Sequence, residues 1–268
     1  MASPTLCCIR FSRIALSIAV GMGWFALAAL GQTGQSNAST PRQPVLVELF
    51  TSEGCSDCPP ADALLAQLDT QQPIHGAEAI VLSEHVTYWN HLGWRDPFSF
   101  DAIDERQESY MRQFALDSVY TPQIVVDGAA QFVGSDAAAL TRAVAKSAAT
   151  PKPEIEIENV HRTAGGSITF TVRAAPGAKG TLVAALAENA TRSEVARGEN
   201  AGRTLHHVAV VRILKEFDSG AADGRRLELS GDNLFNAEKD GEPLRLVVFL
   251  ADRRSGHVIS VTEQALAK

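Results

Sequence analysis

Val47-Glu-Leu-Phe-Thr-Ser-Glu-Gly-Cys-Ser-Asp-Cys-Pro-Pro60 is the stretch on which the reading of this chain turns. Pro44 to Phe50 is short, partly β-branched and almost continuously apolar, the composition of a buried parallel strand. Thr51 to Cys58 is a turn-rich loop that includes Gly54. Two adjacent prolines fit only the first turn of a helix, so Pro59-Pro60 pins a helix start at the cysteines, with Leu64, Leu65 and Leu68 on its apolar face. A Cys-x-x-Cys at a helix start has a physical logic. The positive end of the helix dipole favours a thiolate on the first cysteine, and the second lies one turn away and can close the disulfide. Here the intervening pair is Ser56-Asp57, and Asp57 and Glu53 are anionic, so Cys55 is expected to be less acidic than the reactive cysteine of a strong oxidant. The first sulfur is expected to project toward solvent and the second to lie under the first turn.

The rest of the chain gives that pair its setting. The 268 residues carry a formal charge of −7. Residues 1–31 contain only Arg10 and Arg13 as charges, so their removal leaves 22 basic against 31 acidic residues, a net −9. An acidic body without a Lys/Arg cluster lacks the basic face that phosphate binding needs, and no nucleic acid is expected as a partner. A basic start, an apolar run from Ile14 to Leu30 and the small-x-small Ala26-Leu27-Ala28 make residues 1–31 read as a signal peptide, with residues 32–43 as a linker. A membrane is a partner only if that segment stays uncleaved. Cys7 and Cys8 would leave with it, and Cys55 and Cys58 would remain as the two cysteines of the mature chain. So short a disulfide loop is a poor staple, and in an exported protein such a pair is more often redox chemistry than architecture.

Beyond the first helix the pattern predicts a strand over 79–86, a helix over 101–114, a strand over 123–126, a hairpin turn at Asp127-Gly128, a return strand over 130–133 and a helix capped by Ser135 or Asp136. Thr150-Pro-Lys-Pro153 then marks a change of grammar. Residues 154–158, 167–172 and 227–229 alternate apolar and polar, and 181–186, 205–213, 244–250 and 258–261 add further short strand candidates. The expected architecture is an α/β domain over 44–150 followed by a mostly β, sandwich-like domain over 151–268.

Four stretches carry a resemblance: Val47 to Pro60, His85-Val-Thr-Tyr-Trp-Asn-His-Leu-Gly-Trp94, Val119-Tyr-Thr-Pro-Gln123 and Gly198-Glu-Asn-Ala-Gly-Arg-Thr-Leu205. Residues 44 to about 148 resemble a thioredoxin-fold domain, and the chain after residue 31 resembles a family of secreted bacterial proteins of unknown function. The resemblance implies a periplasmic or secreted bacterial protein with a redox-capable pair. It also implies a cis bond at Thr121-Pro122 facing that pair. The chain departs from thioredoxin in its Ser-Asp insert, in having no Trp before Cys55, and in the 63 residues between Cys58 and Pro122.

The function read from these residues is thiol–disulfide exchange with protein thiols or disulfides. Cys55 and Cys58 are its catalytic pair, and Thr121, Pro122 and Trp89 form the surface that receives a partner. No organic cofactor is expected. Two other readings stay beside it. Two thiolates with one or two imidazoles suit zinc or copper, and Cys55, Cys58, His85 and His91 are the set on offer, although the reading adopted assigns no metal. The third is a non-catalytic binding module with a structural disulfide. Trp94 reads as core packing, and for His85 and His91 the core and rim readings both stand. His206 and His207 are adjacent on a strand and must face opposite ways. The Gly198–Leu205 stretch reads as a plain hairpin loop in preference to a recognition loop.

Overall fold

The computed structural model describes residues 42–163, 166–218, 220, 222–231 and 243–266. The segments read as signal peptide and most of the linker lie outside these residues. Among the described residues no helix is long and apolar enough to cross a membrane.

The first half follows the predicted order. Strand β1 (Gln43–Thr51) leads through the cysteine loop into helix α1 (Pro59–Gln71), then β2 (Ala77–His85), α2 (Asp101–Gln113), β3 (Gln123–Val126), β4 (Ala130–Val133) and α3 (Ala137–Ala148). Pro59 and Pro60 open α1, as their missing N–H groups require. Asp136 caps α3, its side chain accepting from the Ala139 N–H at 2.8 Å. Eight-residue β5 (Ile155–Arg162), β6 (Ile168–Ala174), β7 (Thr181–Glu194), β8 (Thr204–Phe217), β9 (Asp223–Leu229), β10 (Leu244–Ala251) and β11 (Val258–Leu266) follow.

The expected α/β thioredoxin-like domain followed by a sandwich-like domain is not what these elements build. The chain is mostly β, and its centre is one mixed sheet of eight strands in the order β11-β10-β7-β8-β2-β1-β3-β4. This sheet takes strands from both sides of residue 150. Parallel pairing of β2 with β8, Ser83 opposite Val210, joins the two sets. Among the described residues only β5, β6 and β9 stand apart, as a three-stranded sheet. The described residues form one compact unit.

The physical reason lies in which strands alternate. The alternating segments are those of the small sheet, which has one face on the core and one in water. β7 and β10 do not alternate, because both their faces are buried. Val183, Ala185, Ala187, Val247 and Phe249 point into the core that holds β1, β2 and the helices. Leu182, Ala184, Leu186, Leu246, Val248 and Leu250 point into a second core against Ile155, Phe170, Val172, Leu227 and Leu229 of the small sheet. A strand apolar on both faces needs cover on each side; the first half provides one cover and the small sheet the other.

Polar staples hold the two sets in register. Asp127, at positive φ in its Asp-Gly turn, accepts from the Leu46 N–H at 2.9 Å and pairs with Lys152 at 2.7 Å, while its carbonyl accepts from the Val258 N–H at 2.8 Å. Gly128 packs so closely that a Cβ there would collide with the Gly256 carbonyl. Arg245 of β10 grips Asp69 of α1 at 2.8 and 3.1 Å. On α2, Arg106 donates to buried Glu48 of β1 and lies 4.9 Å over the ring of Phe249 on β10. Burial, and then Glu48, push the neighbouring carboxyl of Glu84 well above its ordinary range.

Residues 42–150 made alone lack the apolar strands that cover β2 and α2. We expect this fragment to show no cooperative unfolding transition by circular dichroism. A fragment that unfolds cooperatively, with the full chain's packing signals in its near-ultraviolet spectrum, contradicts the shared core.

Candidate functional site

The cysteine loop follows Thr51 of β1, which lies opposite His85 at the end of β2, and it enters α1 through Cys58, the residue preceding Pro59. Cys55 and Cys58 are joined in a disulfide. The loop closes on itself: the Cys55 N–H donates to the Ser52 carbonyl at 3.1 Å and the Cys58 N–H to the Cys55 carbonyl at 3.3 Å. Ser56 and Asp57 are exposed, but Cys55 is only 1% exposed and Cys58 not at all. The expectation of a first sulfur open to solvent therefore does not describe this state.

Two walls flank the loop. On one side Trp89 sits so near Gly54 that a Cβ on the glycine would stand 3.1 Å from the tryptophan Cβ. The Trp89 indole N–H donates to Thr121 Oγ1 at 2.8 Å. The Thr121-Pro122 bond is cis, and Pro122 is buried, meeting Ala61 of α1 at Gly134. Trp89, Thr121 and Pro122 are thus gathered around one edge of the loop and α1. On the other side stands the turn between β7 and β8. Asn200 is fully buried, and its Nδ2 donates to the carbonyls of Glu53 and Cys55 at 2.9 Å each. Arg203 Nη1 donates to Asn200 Oδ1 at 3.0 Å, and the Ser56 N–H donates to the Glu199 carboxylate at 3.2 Å. The segment read as a plain hairpin loop is a clamp on the cysteine loop.

From one helical turn after Cys58 begins a buried tract of ionisable groups. Asp62 is four residues after Cys58, one helical turn along the same face, and accepts from Thr51 Oγ1 at 2.9 Å. His207 of β8 stands between Asp62 and Glu53, with nitrogen to oxygen distances of 3.7 and 3.4 Å. These are ion-pair contacts; neither ring nitrogen makes a hydrogen bond. Burial pulls the His207 imidazole down, but the Asp62 and Glu53 carboxylates outweigh it and raise it to about 10. Glu53 is held by the Trp94 indole N–H at 2.7 Å and Ser193 Oγ at 3.1 Å. His206 is exposed where His207 is buried, as adjacent strand positions require.

His85 packs edge to face on His207, ring centres 4.6 Å apart, and on Phe98 at 5.3 Å. Its Nδ1 meets Asp96 Oδ2 at 2.7 Å and its Nε2 meets Ser83 Oγ at 3.3 Å. Asp96 also accepts from the N–H groups of Glu53 and Phe98 at 2.8 and 2.9 Å. Burial pushes the Asp96 carboxyl up, and His85 with these two N–H groups more than reverses it, holding it below the ordinary range. Both nitrogens of His85 are engaged, and His91 is exposed on the far segment, so the set Cys55, Cys58, His85 and His91 is not brought together. Among the described residues no group of three or more His, Cys, Asp or Glu side chains is arranged to hold a metal.

Sequence reasoning missed Asp62, Asp96, Asn200 and the role of His207. Glu53 and Trp94 were visible, but only as an opposing charge and as core packing. No short-range signal ties Asn200 or His207 to a loop some 150 residues earlier.

Fold and site together define a mixed-sheet protein with a covered disulfide at the mouth of a buried charged tract. Residues 46–250 match the family described as "Protein of unknown function (DUF1223)", and the chain belongs to that family. Two solved structures are similar. One is a protein of Agrobacterium tumefaciens, 22% identical with a TM-score of 0.60, the match covering 85% of this chain and 95% of that one. The other is HBP35 of Porphyromonas gingivalis, 16% identical with a TM-score of 0.53, covering 85% and 76%. At these identities the likeness is one of fold alone. No curated protein matches the chain.

Replacing His207 by Ala leaves two buried carboxylates without their counter-charge and should cost about 3–5 kcal/mol of stability near neutral pH. Because folding raises the His207 pKa, its contribution is complete below about pH 6.5 and drains away as pH rises toward 10. Urea denaturation of wild type and variant at several pH values checks both points. The gap between them should narrow on the alkaline side; a gap that is absent, or that widens with pH, contradicts the assignment.

Proposed function

We propose that this protein performs thiol–disulfide exchange with protein partners through Cys55 and Cys58. The observation that carries the reading is a disulfide closed across a helix start whose first turn carries buried Asp62, paired in turn with buried His207. A link across three residues contributes little to stability, and buried charges are costly to keep. Chemistry at the pair accounts for both better than architecture does. The basic, then apolar, start of the chain supports a place for this chemistry outside the cytoplasm, in the periplasm or secreted.

In the oxidised state a partner thiolate attacks Cys55 Sγ. The Cys55–Cys58 bond breaks, a mixed disulfide forms at Cys55, and Cys58 leaves as a thiolate at the positive end of α1. A second partner thiolate then attacks the partner's own sulfur in that mixed disulfide and releases Cys55. The partner has lost two electrons and gained a disulfide; the protein holds two thiols. The reverse sequence donates the electrons. Cys55 takes the attacked role because it lies in the loop beside exposed Ser56 and Asp57, whereas Cys58 is locked at the helix entry. Trp89, Thr121 and Pro122 form the edge that receives the partner.

Replacing Cys58 by Ala removes the resolving thiol, so covalent adducts should accumulate in cells and dissolve in dithiothreitol. Replacing Cys55 by Ala should yield few. Non-reducing gels of the two tagged variants read this directly. Adducts in neither variant would return the pair to a structural disulfide.

A further inference from the structure

We propose that the Gly198–Arg203 turn between β7 and β8 is a displaceable cover on the cysteine pair, and that the partner which displaces it is an extended polypeptide segment. This rests on the exchange reading.

The turn docks on the cysteine loop through side chains and closes its own backbone bonds internally. Its Ala201, Gly202 and Arg203 N–H groups donate to the carbonyls of Gly198, Val195 and Asn200 at 3.2, 2.7 and 3.1 Å. Three hydrogen bonds attach it to the cysteine loop: Asn200 Nδ2 to the Glu53 and Cys55 carbonyls, and the Ser56 N–H to Glu199. Breaking those three frees the turn from the cysteine loop; Gly198 also packs on Trp94, and Gly202 and Arg203 stay bonded to Val195 at the base of the turn. Gly198 and Gly202 bracket Glu199 and Asn200 with φ of +81° and +79°, a region only glycine enters freely, and they can absorb the dihedral change of such a motion. Covered, the disulfide is shut off although Ser56 and Asp57 beside it are exposed. Lifting the turn opens Cys55 and also withdraws the Glu199 carboxylate from the loop, which favours a thiolate there.

The contacts define what replaces the turn. Without Asn200 and Glu199, the Glu53 carbonyl and the Ser56 N–H lose these partners and the Cys55 carbonyl keeps only the Cys58 N–H, and buried polar groups left short of partners are costly. An occupant must offer two donors and one acceptor along a short line. An extended backbone presents N–H and C=O groups in that way, and a small thiol without amides does not.

The test measures the reduction of oxidised wild type, Asn200→Ala and Glu199→Ala by tris(2-carboxyethyl)phosphine, below the unfolding transition of each. Two hydrogen bonds of ordinary strength correspond to roughly 10- to 30-fold in the open population, so Asn200→Ala should reduce faster by about that factor. Exposed Glu199, whose loss leaves the core untouched, should give a smaller change in the same direction. A second arm compares exchange of the reduced proteins with a disulfide-bonded peptide and with hydroxyethyl disulfide; wild type should favour the peptide, and Asn200→Ala should lose much of that preference. Wild-type reduction rates in both variants, or a wild-type pair that reduces as fast as oxidised glutathione, overturn the cover. Equal rates with the two substrates overturn the partner class. Accelerated reduction with no exchange in any form supports the cover and overturns the exchange reading instead.

Discussion

Two strands with apolar side chains on both faces set the terms for the rest of the structure. β7 and β10 cannot lie at a sheet surface in water, because burying one face leaves the other exposed. Burying a Val, Leu or Phe side chain is worth about 1.5–3 kcal/mol, and each face of these strands carries several. The solution is to place them inside one long sheet, with the helices and β1–β2 core on one side and the β5-β6-β9 sheet on the other. β8, paired to β7 along its length, is thereby brought beside β2. That neighbour relation delivers His207 and the Asn200 turn to the cysteine loop.

The site follows from this placement. Asp62 comes from α1, Glu53 from the cysteine loop, His85 from β2 and His207 from β8. No one of these elements could build the charged tract alone. The carboxylates would repel in a dry setting without the imidazolium of His207, and His207 would lose its proton without the carboxylates. His85 is fixed by Asp96, whose own position depends on the N–H groups of Glu53 and Phe98. The segment from Thr87 to Phe98 therefore serves the site twice: Trp89 walls the disulfide, while Trp94 and Asp96 hold the groups below it.

Much of this was legible in the sequence, and the part that was not has a clear physical cause. The double proline after Cys58 placed a helix start and Asp127-Gly128 placed a hairpin, both decided by local chemistry, while the cis bond at Thr121-Pro122 was implied by the resemblance. Strand positions in the second half were also readable. Their assembly was misread because all were treated as one kind. Segments such as 154–158 and 227–229 alternate and do form a half-exposed sheet. Thr181–Leu186 and Leu244–Leu250 run apolar without alternation, the mark of burial on both faces, and that mark pointed to the shared sheet. The Gly198–Leu205 stretch looked like any turn because its partners, Glu53, Cys55 and Ser56, are far away in sequence.

The central claim is that the second half of the chain completes the site beneath the cysteines. A double-mutant cycle between Asp62→Asn on α1 and His207→Gln on β8, read by urea denaturation at neutral pH, tests it most directly. Residues that share a buried charge contact should couple, with the double variant departing from the sum of the singles by about 1 kcal/mol or more. Additivity within about 0.3 kcal/mol would mean that the two groups do not sense each other and would contradict the account.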